Sequence, residues 1–193
     1  MIKAIVFDCF GVIIADVLEN LKNTSGLTDE DKDKITQSVI AANKGDVTRE
    51  ANRLKIAAIL GLSVEEYAAK LKNNEVKNMP LLNYIRALRP QFKTGLLTNI
   101  GSNKSLHSRF PESELAIYFD EVVASGEVGY AKPDAEAYGI IANRLGVKLD
   151  ECIMVDDREE YCQGAINAGM AAILHRSNGT TIQEIDKLIG RIN

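Results

Sequence analysis

The strongest constraint on this fold is a short segment near the amino terminus, residues 2–12, written IKAIVFDCFGV. From residue 2 to residue 7 every position except Lys3 is apolar. An apolar run this short and continuous suits a strand covered on both faces, as in a parallel sheet enclosed by helices. Asp8 follows at once, at the carboxyl end of the strand, where open α/β sheets gather their ligands. Gly11 comes just after and permits a tight, unusual backbone. Taken alone, the segment has two readings: Asp8 is a site carboxylate, or it merely ends a strand. Neighbours on a strand face opposite ways, so Cys9 is expected to pack into the sheet and not to serve as a reactive thiol.

Two later apolar runs end in the same manner. LLTN, residues 96–99, closes on Thr98 and Asn99. CIMVDD, residues 152–157, closes on Asp156 and Asp157. Between them YAKPD, residues 130–134, sets Lys132 ahead of Pro133 and a helical pattern. From residue 81 strands and helices alternate. Helices are predicted over 81–88, 102–107, 112–118, 134–145, 158–168 and 181–192, and strands over 92–98, 121–124, 152–155 and 171–174. Pro90, Gly146 and Gly169 act as stops. This alternation implies an α/β fold with a doubly wound parallel sheet. The polar residues beyond each strand would then converge on one crevice.

Residues 18–80 read differently, as a block of short amphipathic helices. Thr28 and Ser63 open predicted capping boxes, with Asp31 and Glu66 at the third helical place. Thr48 is placed as a cap, Gly45 as a break and Gly61 as a stop. The helix after Thr48 is expected to bury Leu54, Ala57, Ala58 and Ile59. The block is far too long for one strand-to-strand crossover. It reads as an inserted helical cap over 17–80, leaving 1–16 and 81–193 as the core, or else as helices that simply pack on the sheet.

With 193 residues, 46% of them hydrophobic, the chain can bury one substantial core and a small accessory domain. A net charge of −4 and the absence of a basic block argue against a nucleic-acid partner. No apolar run approaches the length of a membrane span, and with the first strand starting at once no signal peptide is expected. Three cysteines without close spacing fit neither a disulfide framework nor a zinc knuckle, so a cytoplasmic location is expected. His107 and His175 stand alone in the sequence and are assigned surface or packing roles.

In order, Asp8, Thr98, Lys132 and the pair Asp156–Asp157 resemble the four motifs of the haloacid dehalogenase-like (HAD) hydrolase superfamily. The resemblance covers most of the chain. It implies a Rossmann-like core with a small helical cap, acting on a small-molecule phosphate ester. It gives Asp8 as the nucleophile that accepts the phosphoryl group and Thr98 as a hydroxyl on the phosphoryl oxygens, aided by the Asn99 backbone N–H. Lys132 becomes the cation that neutralises the charge. The implied cofactor is Mg²⁺, held by Asp8, the backbone carbonyl of Phe10, Asp157 as a direct ligand, and Asp156 as a ligand or supporter. Clustered carboxylates need a compensating cation, and oxygen ligands favour a hard one.

One position departs from the pattern. Phosphatases of this superfamily usually carry Asp-x-Asp in the first motif, and here Phe10 replaces the second acid. That acid would protonate the leaving group, a contribution worth about 10²–10⁴ in rate. Three readings follow. The chain is a phosphatase for leaving groups that need little protonation, such as sugar 1-phosphates; it is a 2-haloacid dehalogenase, whose relatives carry an aromatic residue here; or it is a binding protein with a degenerate site. Val12, where dehalogenases usually carry Thr, and the retained acidic pair weigh against the second reading.

Overall fold

The computed structural model describes residues 1–44, 46–74, 76–101 and 106–192. The helix break expected at Gly45 and most of the helix expected over 102–107 lie outside them. In chain order the elements are β1 (Ala4–Phe7), α1 (Val17–Thr24), α2 (Asp29–Lys44), α3 (Arg49–Ile59), α4 (Val64–Asn74), α5 (Met79–Leu88), β2 (Lys93–Thr98), α6 (Glu112–Tyr118), β3 (Glu121–Ala124), α7 (Ser125–Val128), α8 (Ala135–Leu145), β4 (Cys152–Asp156), α9 (Glu159–Ala168), β5 (Ala171–Leu174) and α10 (Asn178–Leu188). They separate into two compact units, one of residues 1–14 with 77–193 and one of residues 15–76.

Among the described residues, the first unit holds a five-stranded sheet in the order β3-β2-β1-β4-β5, every pair parallel. The alternation of side chains sorts the strands into two apolar layers. Ile5, Phe7, Leu96, Ile153 and Val155 face α5 through Leu81, Leu82, Ile85 and Leu88, together with Ile185 of α10. Ala4, Val6, Leu97 and Met154 face α8 through Ala137, Tyr138, Ile141 and Leu145, together with Ala165 of α9. Both faces are covered, which is why these strands read as continuous apolar runs. Cys9 is fully buried in the first layer, as its place beside Asp8 suggested.

The second unit is built from α1 to α4 around Ile35, Ile56, Ala57 and Tyr67. Two caps hold as drawn from sequence. Thr48 Oγ1 accepts from the Ala51 N–H at 3.2 Å. Ser63 Oγ accepts from the Glu66 N–H at 3.1 Å while the Ser63 N–H donates to Glu66 Oε2 at 2.8 Å, a complete capping box. Thr28 differs: its hydroxyl accepts from the Asp31 N–H but donates to the Asp31 carboxylate.

Other boundaries need correction. The buried pair of α3 is Ile56 and Ala57, while Leu54 and Ala58 are exposed. One residue of phase error rotates an apolar stripe by about 100°, and the short helix gives too few turns to fix the phase. α5 starts at Met79 because Asn78 caps it, and α10 starts at Asn178 because the Ser177 hydroxyl accepts from the Thr180 N–H. Arg158 is the residue before α9, not its first turn. No described helix is long and apolar enough to cross a membrane.

Candidate active site

The strand order reverses between β1 and β4, and the carboxyl ends of these strands, with that of β2, carry the polar residues singled out above. Ile5, Phe7 and Cys9 enter one apolar layer, which leaves Asp8 on the alternate side at the end of β1. Its N–H donates to the Val155 carbonyl at 2.9 Å, which ties it to β4. β4 ends on Asp156, and Asp157 follows. Carboxylate oxygens of Asp8, Asp156 and Asp157 lie within 4.8 Å of one another.

Lys132 reaches this cluster from the segment between α7 and α8. Its Nζ donates to Asp8 Oδ1 at 2.5 Å and to Asp156 Oδ2 at 2.6 Å. The side chain is 0% exposed. The Tyr161 ring of α9 lies 5.1 Å from the same ammonium, a further cation–aromatic contact. Asp156 uses its other oxygen, Oδ1, to accept from the Arg158 N–H at 3.0 Å at the start of α9. The Arg158 guanidinium sits over the Tyr161 ring at 5.6 Å.

Thr98, the last residue of β2, is 1% exposed. Its hydroxyl is the one buried side-chain polar atom without a hydrogen-bond partner among the described residues. Leaving such a group unpaired costs about 1–3 kcal/mol, so a protein keeps one chiefly where a ligand completes it. Asn99 spends its side chain inside the protein: Oδ1 accepts from the Lys132 N–H and Nδ2 donates to the Lys132 carbonyl, both at 2.8 Å. Phe10 is half-buried, with the Arg109 guanidinium 5.5 Å from its ring.

The electrostatics favour a bound cation. Burial pushes the Asp8 carboxyl up to about 7; the Lys132 ammonium pulls against this, and Asp156 and Asp157 add to it. Burial also disfavours the Lys132 ammonium, but Asp156 and Asp8 outweigh it and hold the group well above its ordinary value. Three carboxylates therefore stand together, two of them on one ammonium. Hard oxygen donors at this spacing fit a hard divalent ion, and Asp156 already accepts from Lys132 and from a backbone N–H.

The remaining candidates are structural. Thr181 Oγ1 lies 2.8 Å from His175 Nδ1, and burial holds that imidazole below its usual pKa. Burial raises the Cys162 thiol to about 11 and the Cys152 thiol to about 12, which leaves both unreactive near neutrality. Glu159 and Glu160 are exposed. The roles of the Asn99 side chain and of Tyr161 had no counterpart in the sequence reading. A contact to the main chain leaves no residue-type signature, and Tyr161 reads as an ordinary helical position.

Comparison with known proteins places these features in context. The sequence model of a family described as "Hydrolase: haloacid dehalogenase-like hydrolase" matches residues 2–169. Phosphatase MT3486 of Mycobacterium tuberculosis is 39% identical over 95 residues, 49% of this chain and 44% of that protein. The chain thus spans less than half the length of that relative. Fructose-1-phosphate phosphatase YqaB of Escherichia coli is 25% identical over 141 residues, 72% of this chain and 70% of that protein. Among solved structures, a HAD family enzyme of Bacteroides thetaiotaomicron in complex with magnesium and inorganic phosphate aligns with a TM-score of 0.67 at 21% identity, covering 92% of this chain and 96% of that one.

Proposed function

The chain belongs to the haloacid dehalogenase-like hydrolases, and on that premise we propose that it is a Mg²⁺-dependent phosphatase of a small phosphate ester, of the sugar phosphate kind, working through an aspartyl-phosphate on Asp8. The observation that carries this reading is the Lys132 ammonium bridging Asp8 and Asp156 at 2.5 and 2.6 Å within a carboxylate triad, beside a strand-end hydroxyl, Thr98, that lacks a partner. The phosphatases among the relatives, one of them named for a sugar phosphate, support the substrate class.

In this mechanism Asp8 attacks phosphorus with one carboxylate oxygen. The ester P–O bond breaks, and its electron pair leaves with the alcohol oxygen. Thr98 Oγ1 and the Asn99 backbone N–H donate to the phosphoryl oxygens. The Lys132 ammonium offsets their charge and favours the ionised form of Asp8 that attacks. Water then attacks the aspartyl-phosphate, releasing inorganic phosphate and restoring Asp8. Mg²⁺, when bound, would shield the phosphate from the surrounding carboxylates. Asp8, the Phe10 carbonyl and Asp157 would hold it directly. Asp156, whose two oxygens already accept from Lys132 and Arg158, would support them.

Phe10 transfers no proton, so the substrate favoured is one whose alkoxide leaves readily, as an anomeric oxygen does. The unit of residues 15–76 is assigned as the cap that selects the substrate. The chain is expected to act in the cytoplasm, on a small molecule and not on nucleic acid. The test is a screen of phosphate monoesters, sugar 1-phosphates included, with Mg²⁺ and with EDTA, run beside halide release from 2-chloropropionate. Phosphate release that EDTA abolishes is the expected result. Halide release unaffected by EDTA would replace this reading with a dehalogenase, and turnover of neither class would leave a binding protein.

A further inference from the structure

We propose that Asn99 is the positioning residue for Lys132: its carboxamide clamps the Lys132 backbone on both sides of the Cα and thereby sets where the ammonium stands against Asp8. The inference rests on the phosphatase reading above. Lys132 ends in a point charge on a flexible four-carbon stem, so its head is only as well placed as its backbone. That backbone belongs to the segment between α7 and α8, outside the sheet, and needs an anchor. Asn99 supplies one by satisfying the N–H and the carbonyl of the same residue, both at 2.8 Å. The two bonds hold the peptide groups on both sides of the Lys132 Cα, which a single bond does not.

The segment is also packed against α9. A Cβ added to Gly164 would stand 2.7 Å from Pro133 Cβ and 2.9 Å from the Pro133 carbonyl oxygen, so the helix backbone abuts the residue after Lys132. The Tyr138 hydroxyl of α8 donates to the Tyr161 carbonyl of α9 at 2.7 Å and joins the two helices beside it. Lys132 is therefore held between the end of β2 and the body of α9, and its stem extends between Asp8 and Asp156. Because Asn99 adjoins Thr98, one strand end fixes both the hydroxyl and the cation. The Asn99 side chain is consumed in this role, which leaves only its backbone N–H for a ligand.

The experiment is a double-mutant cycle of Asn99→Ala and Lys132→Ala, read by kcat and KM for p-nitrophenyl phosphate and by the affinity for inorganic phosphate at saturating Mg²⁺. A displacement of about 1 Å can cost about a hundredfold in rate, so Asn99→Ala in the otherwise native chain should lower kcat by about 10- to 100-fold. It should also weaken phosphate binding. In the Lys132→Ala background the same substitution should change either quantity less than about twofold, because residues acting through one group are not additive. Asn99→Asp keeps the acceptor for the Lys132 N–H but sets a carboxylate oxygen against the Lys132 carbonyl; it should show the same non-additivity and serves if the alanine variant does not fold. A purely structural Asn99 would lower the melting temperature and give equal fold-losses in both backgrounds, which would overturn the proposal. If Lys132→Ala alone impairs turnover while the Asn99 variants do not, the proposal fails and the phosphatase reading stands. If Lys132→Ala leaves turnover intact, both fail.

Discussion

The backbone of Gly11 lies so close to Asp157 that a Cβ built on the glycine would stand 2.3 Å from the Oδ2 of Asp157 and 2.4 Å from its Cγ. Gly11 also has φ +90, in the region that side chains avoid. Its N–H donates to the Ile14 carbonyl at 2.7 Å, closing the turn that follows Asp8. The turn after β1 and the carboxylate after β4 are thus built against each other. Only glycine permits both the turn and the approach.

Gly11→Ala should therefore act on the metal site as well as on the fold. The left-handed backbone costs roughly 1–2 kcal/mol for a residue with a Cβ. The displaced Asp157 should weaken Mg²⁺ binding by about 10- to 100-fold, the range seen when support of a metal ligand is lost. Thermal melting without Mg²⁺ and calorimetric titration with it separate the two effects. A variant that is destabilised but binds Mg²⁺ normally would show that Asp157 does not hold the ion.

The two members of the acidic pair should fail differently. Asp156→Ala strips a buried partner from Lys132, whose side chain is fully enclosed. Breaking a buried pair from one side costs about 3–5 kcal/mol, so a large loss of stability is expected. Asp157→Ala, at a half-buried position, should lower the melting temperature of the metal-free protein less than Asp156→Ala does while abolishing its rise with Mg²⁺. The reverse pattern would exchange their roles.

Asp8 should make the stability of the metal-free protein depend on pH in a direction opposite to ordinary ion-paired carboxylates. Its folded-state pKa, about 7, exceeds the ordinary 3.8. The folded state then binds the proton more tightly than the unfolded state, and stability increases as pH falls through 7 toward 4. Comparing melting temperatures of wild type and Asp8→Asn from pH 8 to pH 5 isolates this contribution. Wild type should gain relative to the variant on acidification. The same proton competes with Mg²⁺, so the stabilisation by Mg²⁺ should fade below about pH 7. Parallel profiles would place the proton elsewhere in the cluster.

In the helical unit the completed capping box at Ser63 should matter most locally. Ser63→Ala leaves the Glu66 N–H without its acceptor and should cost about 1 kcal/mol, measurable by urea denaturation. An effect below the error of the fit would mean that water replaces the hydroxyl fully.

The legible parts of this protein were those where chemistry follows a strand. Asp8, Thr98 and the Asp156–Asp157 pair each end an apolar run, and parallel strands bring such ends to one edge, so their proximity followed from topology. Lys132 lies off the strands and was marked only by the order of motifs. The Asn99 clamp was not legible, because its partners are main-chain atoms that every residue carries. Nor was the close approach of Gly11 to Asp157, which depends on the register of β1 against β4. The phase of α3 was misread because a short helix with scattered alanines offers more than one apolar stripe.

The sharpest question concerns Phe10. Phe10→Asp would restore the Asp-x-Asp pattern in a chain whose other motifs are in place. If proton delivery to the leaving group limits turnover, the new acid should raise hydrolysis of alkyl phosphates, whose alkoxides leave poorly. It should do little for p-nitrophenyl phosphate, whose phenolate leaves without a proton. Two effects limit the gain. A carboxyl introduced without supporting contacts is seldom well oriented. It also adds negative charge two residues from Asp8, where three carboxylates already lie within 4.8 Å of one another. The substitution would further remove the contact between the Phe10 ring and the Arg109 guanidinium, 5.5 Å from it. The measurement is kcat/KM for both substrate types at saturating Mg²⁺, in wild type and in a variant verified as folded by circular dichroism. A preferential gain on alkyl phosphates identifies the missing acid as the limit on rate. An equal loss on both substrates in a folded variant would falsify that account and mark Phe10 as a wall of the substrate site, selecting the leaving group by shape.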